Sequence, residues 1–186
     1  MNIENGRMVT IDIVKANVFA IILMVVSAIV LLVPYILIWH DQWSLEAVDQ
    51  FFKTFPLRGG LFVVLMMIGI VVHELIHGIT WACFAPSGWR SISFGIMWKM
   101  ATPYCHCNEP MHPRPYIIAA LMPLIILGII PAVICLIIGS LFLLVWSIVF
   151  IGAAGGDIWM AWLMTKESPE CTVLDHPSEA GFYVFD

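Results

Sequence analysis

Val71-Val72-His73-Glu74-Leu75-Ile76-His77-Gly78 decides how the chain is read. It is an H-E-x-x-H motif set inside a long apolar run. On a helix, His73 and His77 are four residues apart and share a face. Two imidazoles so placed can bind one zinc ion. Glu74 lies beside them, where it can take a proton from water activated at the metal. The apolar setting sharpens the reading, because a glutamate and two histidines in hydrocarbon are costly and usually mark a functional site. The alternative is a pair of buried histidines held by backbone or carboxylate partners.

Outward from the motif, the composition agrees with that setting. The 186 residues are 61% hydrophobic and 11% charged, which is the balance of an integral membrane protein and not of a soluble domain. The net charge of -5 is small and spread out, and no basic cluster points to nucleic acid. The first apolar run, Asn17 to Trp39, is too long for the core of a signal peptide, and no small-residue cleavage pattern follows it. It is expected to remain as a membrane anchor. The five cysteines, Cys83, Cys105, Cys107, Cys135 and Cys171, are odd in number and lie partly in apolar segments. That argues against a disulfide framework. There is no internal repeat, heptad array or low-complexity segment.

The chain divides into four expected spans, 17–39, 59–84, 116–138 and 140–164, within a single membrane domain covering 1–186. Met8 to Val14 alternates well enough for a short strand or the start of the first helix. His40 to Arg58 is a polar connection, in which Ser44 is placed to cap a short amphipathic helix on the membrane surface. Ala85-Pro86-Ser87-Gly88 ends the motif span. The loop 85–115 is too polar and proline-rich to cross. Its Ser91–Met100 and Thr102–Cys107 stretches read as a small hairpin near the membrane. Gly139-Ser140 is the expected turn between the third and fourth spans, and Pro123 and Pro131 should kink the third. The tail, 165–186, is polar and acidic. The fold class is thus an all-α integral membrane protein with four transmembrane helices and a hairpin-like cytoplasmic loop. Arg7, Lys15, Arg90, Lys99, Arg114 and Lys166 share one side and only Lys53 and Arg58 the other, so both termini and the loop are expected in the cytoplasm of a bacterial cell membrane.

A catalytic zinc takes three protein ligands and keeps one position for water. Asp157, in Gly155-Gly156-Asp157-Ile158-Trp159, is the best third ligand. It is the only acid in the third and fourth spans, where an unpaired carboxylate is costly. The two glycines remove side chains, so its helix is expected to approach the motif helix closely. At about 1.5 Å per residue, His73 and Asp157 lie roughly 16 and 10 Å from the cytoplasmic ends of their spans, similar depths from one face. The alternative is an acid hydrogen-bonded to a neighbouring helix.

These pieces resemble the zincin peptidase family of small bacterial membrane proteins. The likeness rests on His73-Glu74-Leu75-Ile76-His77-Gly78, on the Gly-Gly-Asp at 155–157, and on Asp175-His176-Pro177 with Gly181-Phe182. More distantly the chain is similar to the site-two proteases, which place H-E-x-x-H in one membrane helix and an Asp ligand in a later one. Those carry the Asp in an Asn-Pro-x-Asp-Gly or Leu-Asp-Gly setting, whereas Ile158 follows Asp157 here. The resemblance implies a tail segment that folds back over the mouth of the site, where His176 would orient substrate or stabilise an oxyanion. Local chemistry alone favours a turn boundary set by Pro177.

Cys105-His106-Cys107 has the wrong spacing for a zinc ribbon or knuckle and reads more simply as a turn with reduced thiols. His112, between prolines, reads as a loop residue, and His40 as interfacial. Trp81, Trp89, Trp98, Trp146, Trp159 and Trp162 read as interfacial anchors and packing. Met97 to Met100 is a candidate edge for an extended peptide. The sequence therefore leads to a zinc-dependent membrane metallopeptidase with one Zn²⁺ per chain, held by His73, His77 and Asp157, with Glu74 as the acid-base group. A polar cleft is expected between the second and fourth spans. The expected partners are membrane lipid and a peptide or membrane-protein substrate, with room for a homodimer or a partner subunit. The rival reading is a non-catalytic zinc-binding scaffold with a closed, four-ligand site.

Overall fold

The computed structural model describes residues 6–42, 45–97, 102–176 and 179–185. Strand β1 (Arg7–Thr10) leads into helix α1 (Ile13–Ile38). Asp12 caps that helix by accepting a hydrogen bond from the Lys15 amide at 3.1 Å. The cap explains why the helix starts at Ile13, before the expected Asn17. Helix α2 runs from Leu45 to Phe84, and the hairpin β2 (Ile92–Met97) and β3 (Thr102–Cys107) follows. Helix α3 (Pro113–Pro123) continues through a widened turn, Leu124–Ile129, into α4 (Ile130–Ile138). Then come α5 (Leu141–Ala153), α6 (Gly155–Met164), β4 (Thr172–Asp175) and β5 (Gly181–Phe185).

Three helical stretches are long and apolar enough to cross a membrane: Ile13–Ile38, Gly59–Phe84 and Pro113–Ile138. The pair α5 and α6, bent by 40° at Ala154, makes a fourth if taken as one span. Their outward faces are apolar; Ile21, Ile29 and Val30 on α1 are each more than half exposed. The widened turn lies between the two prolines expected to kink the third span. Pro131 has no N–H to donate, and a π-type turn absorbs the mismatch. At the next connection Gly139 adopts the left-handed conformation, φ 70°, and Ser140 caps α5.

Three expectations need correction. The polar connection before the motif span is not a separate surface helix, because α2 is continuous over 40 residues. Leu45-Glu46-Ala47 are good helix formers, and Gly59-Gly60 costs only about 1 kcal/mol per glycine, too little to break a helix that continues on both sides. Ser44, the expected cap, lies outside the described residues. The fold is mostly helical, as expected, but it carries two small sheets where a single hairpin was expected. One is the hairpin, antiparallel from Ile92↔Cys107 to Met97↔Thr102, with its turn outside the described residues. The other joins the two ends of the chain in the order β1-β5-β4, all antiparallel. Gly181 is needed there, since a side chain at that position would run into the Val9 carbonyl. Finally, the glycines before Asp157 do not bring α6 against the motif helix. A Cβ on Gly155 would lie 2.6 Å from the Ala20 Cα, so the close approach is to α1, and Gly156 faces open space.

Two packed ends result. Around Trp81, Cys107, Met111, Tyr116, Met164 and Phe182, the ends of α2, α3 and α6 are joined to both sheets. A bridge between Met111 and Val173, with hydrogen bonds of 3.0 and 2.8 Å, ties the tail to the start of α3. At the other end Tyr35, Cys135 and Leu144 pack α1 against α4 and α5.

Candidate metal centre

Helix α2 presents His73, Glu74 and His77 over one turn, and the first turn of α6 presents Asp157 to them. His73 Nε2 lies 3.1 Å from Asp157 Oδ2, and His77 Nε2 lies 3.4 Å from Oδ1. The two Nε2 atoms are 3.2 Å apart. One donor atom from each of the three residues falls within 4.8 Å of the others, and both histidines are buried. The helices themselves do not need to touch, because the side chains span the gap.

The tautomer of His77 follows from its other nitrogen. Nδ1 is 3.0 Å from the Ala119 carbonyl of α3, which can only accept, so Nδ1 carries the proton. In the neutral ring Nε2 then turns a lone pair toward His73 and Asp157. A carbonyl behind a metal-ligating histidine fixes the ring in this way. Two imidazole nitrogens and a carboxylate, converging with at most one ring proton among them, are a donor set that fits Zn²⁺. Trp81 stacks on His77 with ring centres 5.2 Å apart and holds the imidazole from the other side.

Glu74 points to the same space, within hydrogen-bonding reach of the Cys105 backbone N–H on β3. That space is a cavity of about 720 Å³. The expected cleft between the motif helix and α6 is there, but it has more walls than expected. The hairpin contributes Tyr104, Cys105 and His106, the start of α1 contributes Asn17, and the tail contributes His176 and Glu179.

His176 lines the cavity, and it also belongs to a turn. Its Nδ1 accepts the Glu179 amide at 2.9 Å, its own amide donates to the Gly181 carbonyl at 3.0 Å, and its ring stacks on Tyr183. Pro177 lies outside the described residues. Cys105-His106-Cys107 is a strand and not a turn. The two thiols share one face and His106 takes the other. Burial pushes both thiols above their ordinary values. Among the described residues no second group of three metal ligands forms. His112 sits at the start of α3, with its Nδ1 3.0 Å from the Cys171 carbonyl. Trp81 is a packing residue and not an interfacial anchor.

Sequence reasoning missed Asp175 as a buried centre. Its carboxylate accepts the Tyr116 hydroxyl and, at 3.0 Å, the Cys107 amide, and its Oδ2 lies 3.5 Å from His106 Nδ1. Burial pushes its carboxyl up from the ordinary value, and His106, the Tyr116 hydroxyl and the Cys107 amide oppose that. The signal was present in Thr172-Val173-Leu174-Asp175: strand alternation puts Asp175 on the same inward face as Val173.

Fold and centre together define a mostly helical protein, with helices fit to cross a membrane, whose H-E-x-x-H helix shares a three-donor cluster with a carboxylate from a later helix. A family model described as "Putative zincin peptidase" matches residues 66–172, more than half of the chain, and the chain belongs to that family. The matched segment contains His73, Glu74, His77 and Asp157. No curated protein and no solved structure matches the chain.

Proposed function

We propose that the chain is a membrane-embedded zinc metallopeptidase that hydrolyses a peptide bond in or near the membrane. The observation that carries this reading is the convergence of His73, His77 and Asp157 on the wall of a cavity that also holds Glu74. His73, His77 and Asp157 would hold the zinc, which when bound supplies a Lewis acid that polarises a carbonyl and makes water more acidic. Glu74 takes one proton from the attacking water onto a carboxylate oxygen and returns it to the leaving amine nitrogen. The Ala119 carbonyl keeps His77 in the tautomer that leaves Nε2 free. The Cys105 amide restrains the Glu74 carboxylate beside the cavity.

Membrane embedding is supported by the apolar outward faces of α1, α2 and the α3–α4 stretch, far larger than the patches soluble monomers expose. The excess of Lys and Arg on the side of the hairpin and the termini favours a bacterial cell membrane with that side in the cytoplasm. A peptide or a membrane protein would enter the cavity from there, and a dimer or a partner subunit would add walls that four spans lack. A closed structural zinc site would want a fourth protein ligand. The described residues supply three donors and a cavity beside them, which favours the catalytic reading.

The test is cleavage of fluorescent β-casein by detergent-purified protein loaded with zinc. Turnover in the wild type that vanishes in Glu74→Gln, with zinc retained, is the expected result. A Glu74→Gln variant as active as wild type would sink this role.

A further inference from the structure

Gly155 and Gly156 open α6, and packing accounts for only the first. A Cβ on Gly155 would meet the Ala20 Cα at 2.6 Å, and one on Gly152, near the end of α5, would meet the Met24 side chain at 2.8 Å. Those two glycines let α1 come close. A Cβ on Gly156 would meet nothing within 4 Å. Its φ is not in the left-handed region, and the bend between α5 and α6 falls at Ala154, so no turn needs a glycine there either. Glycine is less favourable than alanine inside a helix. Where neither packing nor a turn asks for it, close approach of a ligand to the backbone is the remaining use. Among the described residues the only other glycine with open space beside it is Gly60, which is not part of the cavity. Gly156 lines the cavity, one residue before Asp157.

The helices on that side give the cavity apolar walls. From α1, α5 and α6 come Ile13, Ala16, Ala20, Ala153 and Met160, and the only polar side chains they add are Asn17 and Asp157. The histidines and the other carboxylates of the cavity come from α2, β3 and the tail. Apolar walls with a few convergent polar groups are the usual make-up of a ligand site. We propose that Gly156 sets the size of a subsite for a large apolar substrate side chain, leucine or phenylalanine, beside the scissile peptide bond. The proposal rests on the peptidase reading of the same cavity. The missing Cβ leaves room for that side chain to lie against the α6 backbone, and a branched residue at 156 takes the room away. Gly156 is a specificity-determining residue: it touches the substrate and takes no part in the proton transfers. In an apolar pocket a change of one methylene alters discrimination by about 10- to 200-fold.

The experiment compares zinc-loaded wild type with Gly156→Ala, Gly156→Val and Gly60→Val. It maps the β-casein cuts and their rates by mass spectrometry, and records zinc content and the thermal midpoint in detergent. Binding is read separately in Glu74→Gln, with and without Gly156→Val, using N-acetyl-Ala-Leu-Leu-Ala amide and N-acetyl-Ala-Ala-Ala-Ala amide. Wild type should cut casein next to Leu or Phe. In Gly156→Val those cuts should slow about 30-fold, and the preference should shift toward bonds flanked by Ala, Ser or Gly. Gly156→Ala should fall between. The Leu peptide should bind Glu74→Gln about tenfold more tightly than the Ala peptide, and Gly156→Val should remove that advantage. Zinc content should be unchanged. The thermal midpoint should hold or rise, because the new side chain meets open space and replaces a helical glycine. Gly60→Val, the same change away from the cavity, should keep the wild-type cut pattern.

A Gly156→Val variant that keeps both the wild-type cut pattern and the preference for the Leu peptide overturns the assignment while leaving the peptidase reading intact. So does a wild type that cuts casein without favouring Leu or Phe, a loss in Gly156→Val spread evenly over all cuts, or a loss that comes with lost zinc or a lower thermal midpoint. Zinc-loaded wild type that cuts no casein overturns the peptidase reading, and this proposal with it.

Discussion

The two ends of the helical bundle bury polar groups in opposite ways. At the end packed around Tyr35, every donor named there meets an acceptor: the Tyr35 hydroxyl reaches the Gly139 carbonyl at 2.8 Å, and Trp39 Nε1 reaches the Leu136 carbonyl at 3.1 Å. These bonds close a turn and ask for nothing further. At the other end donors run short, because the His77 Nδ1 proton goes to the Ala119 carbonyl. His77 Nε2, His73 Nε2 and the Asp157 carboxylate converge with too few protons to pair them. An arrangement of that kind inside apolar surroundings is expensive unless a cation completes it. On the metal reading proposed above, the contrast separates polar burial that serves the fold from polar burial that serves a ligand.

The contrast breaks most sharply at the donor set. His77→Ala should abolish both stoichiometric zinc and casein cleavage, read by elemental analysis and a gel assay on the same sample. Glu74→Gln should leave zinc in place and lower kcat by about 10³-fold, because only the proton transfer is lost. A smaller effect is expected where α6 meets α1. Gly155→Val puts a side chain into the Ala20 backbone and should lower stability by about 2 kcal/mol, read from the thermal midpoint in detergent. Because Asp157 rides on the same first turn, zinc affinity should weaken with it. Least of all, Tyr35→Phe should cost about 1 kcal/mol and leave zinc content and turnover unchanged. A Tyr35→Phe variant that lost zinc would mean the two ends are not separable.

The difference also explains what could be read from the sequence. Long apolar runs and a helical i,i+4 pair of histidines are local signals, so the long apolar helices and the placement of His73 and His77 on one face were legible. Asp157 was legible by elimination, as a lone acid where acids are costly. The reason given for its approach failed, because glycine spacing says that a neighbour comes close but not which one, and here the neighbour is Ala20. The continuous α2 was missed because polarity marks where a span ends and not where a helix ends. The sheet β1-β5-β4 was missed because strands of four and five residues carry little periodicity, and β1 meets β5 only through a pairing that spans nearly the whole chain. Asp175 and His106 went unassigned for a related reason. Cys105-His106-Cys107 invites a reading by spacing, whereas strand geometry sends His106 away from both thiols and toward a carboxylate nearly seventy residues later.

The central claim is that three residues from two distant helices hold one zinc ion, and elemental analysis of purified protein tests it most directly. Wild type and Glu74→Gln should carry about one zinc per chain, and His73→Ala and Asp157→Asn should lose it. Zinc retained at full occupancy in Asp157→Asn, or a folded wild type that takes up none when zinc is supplied, would contradict the account.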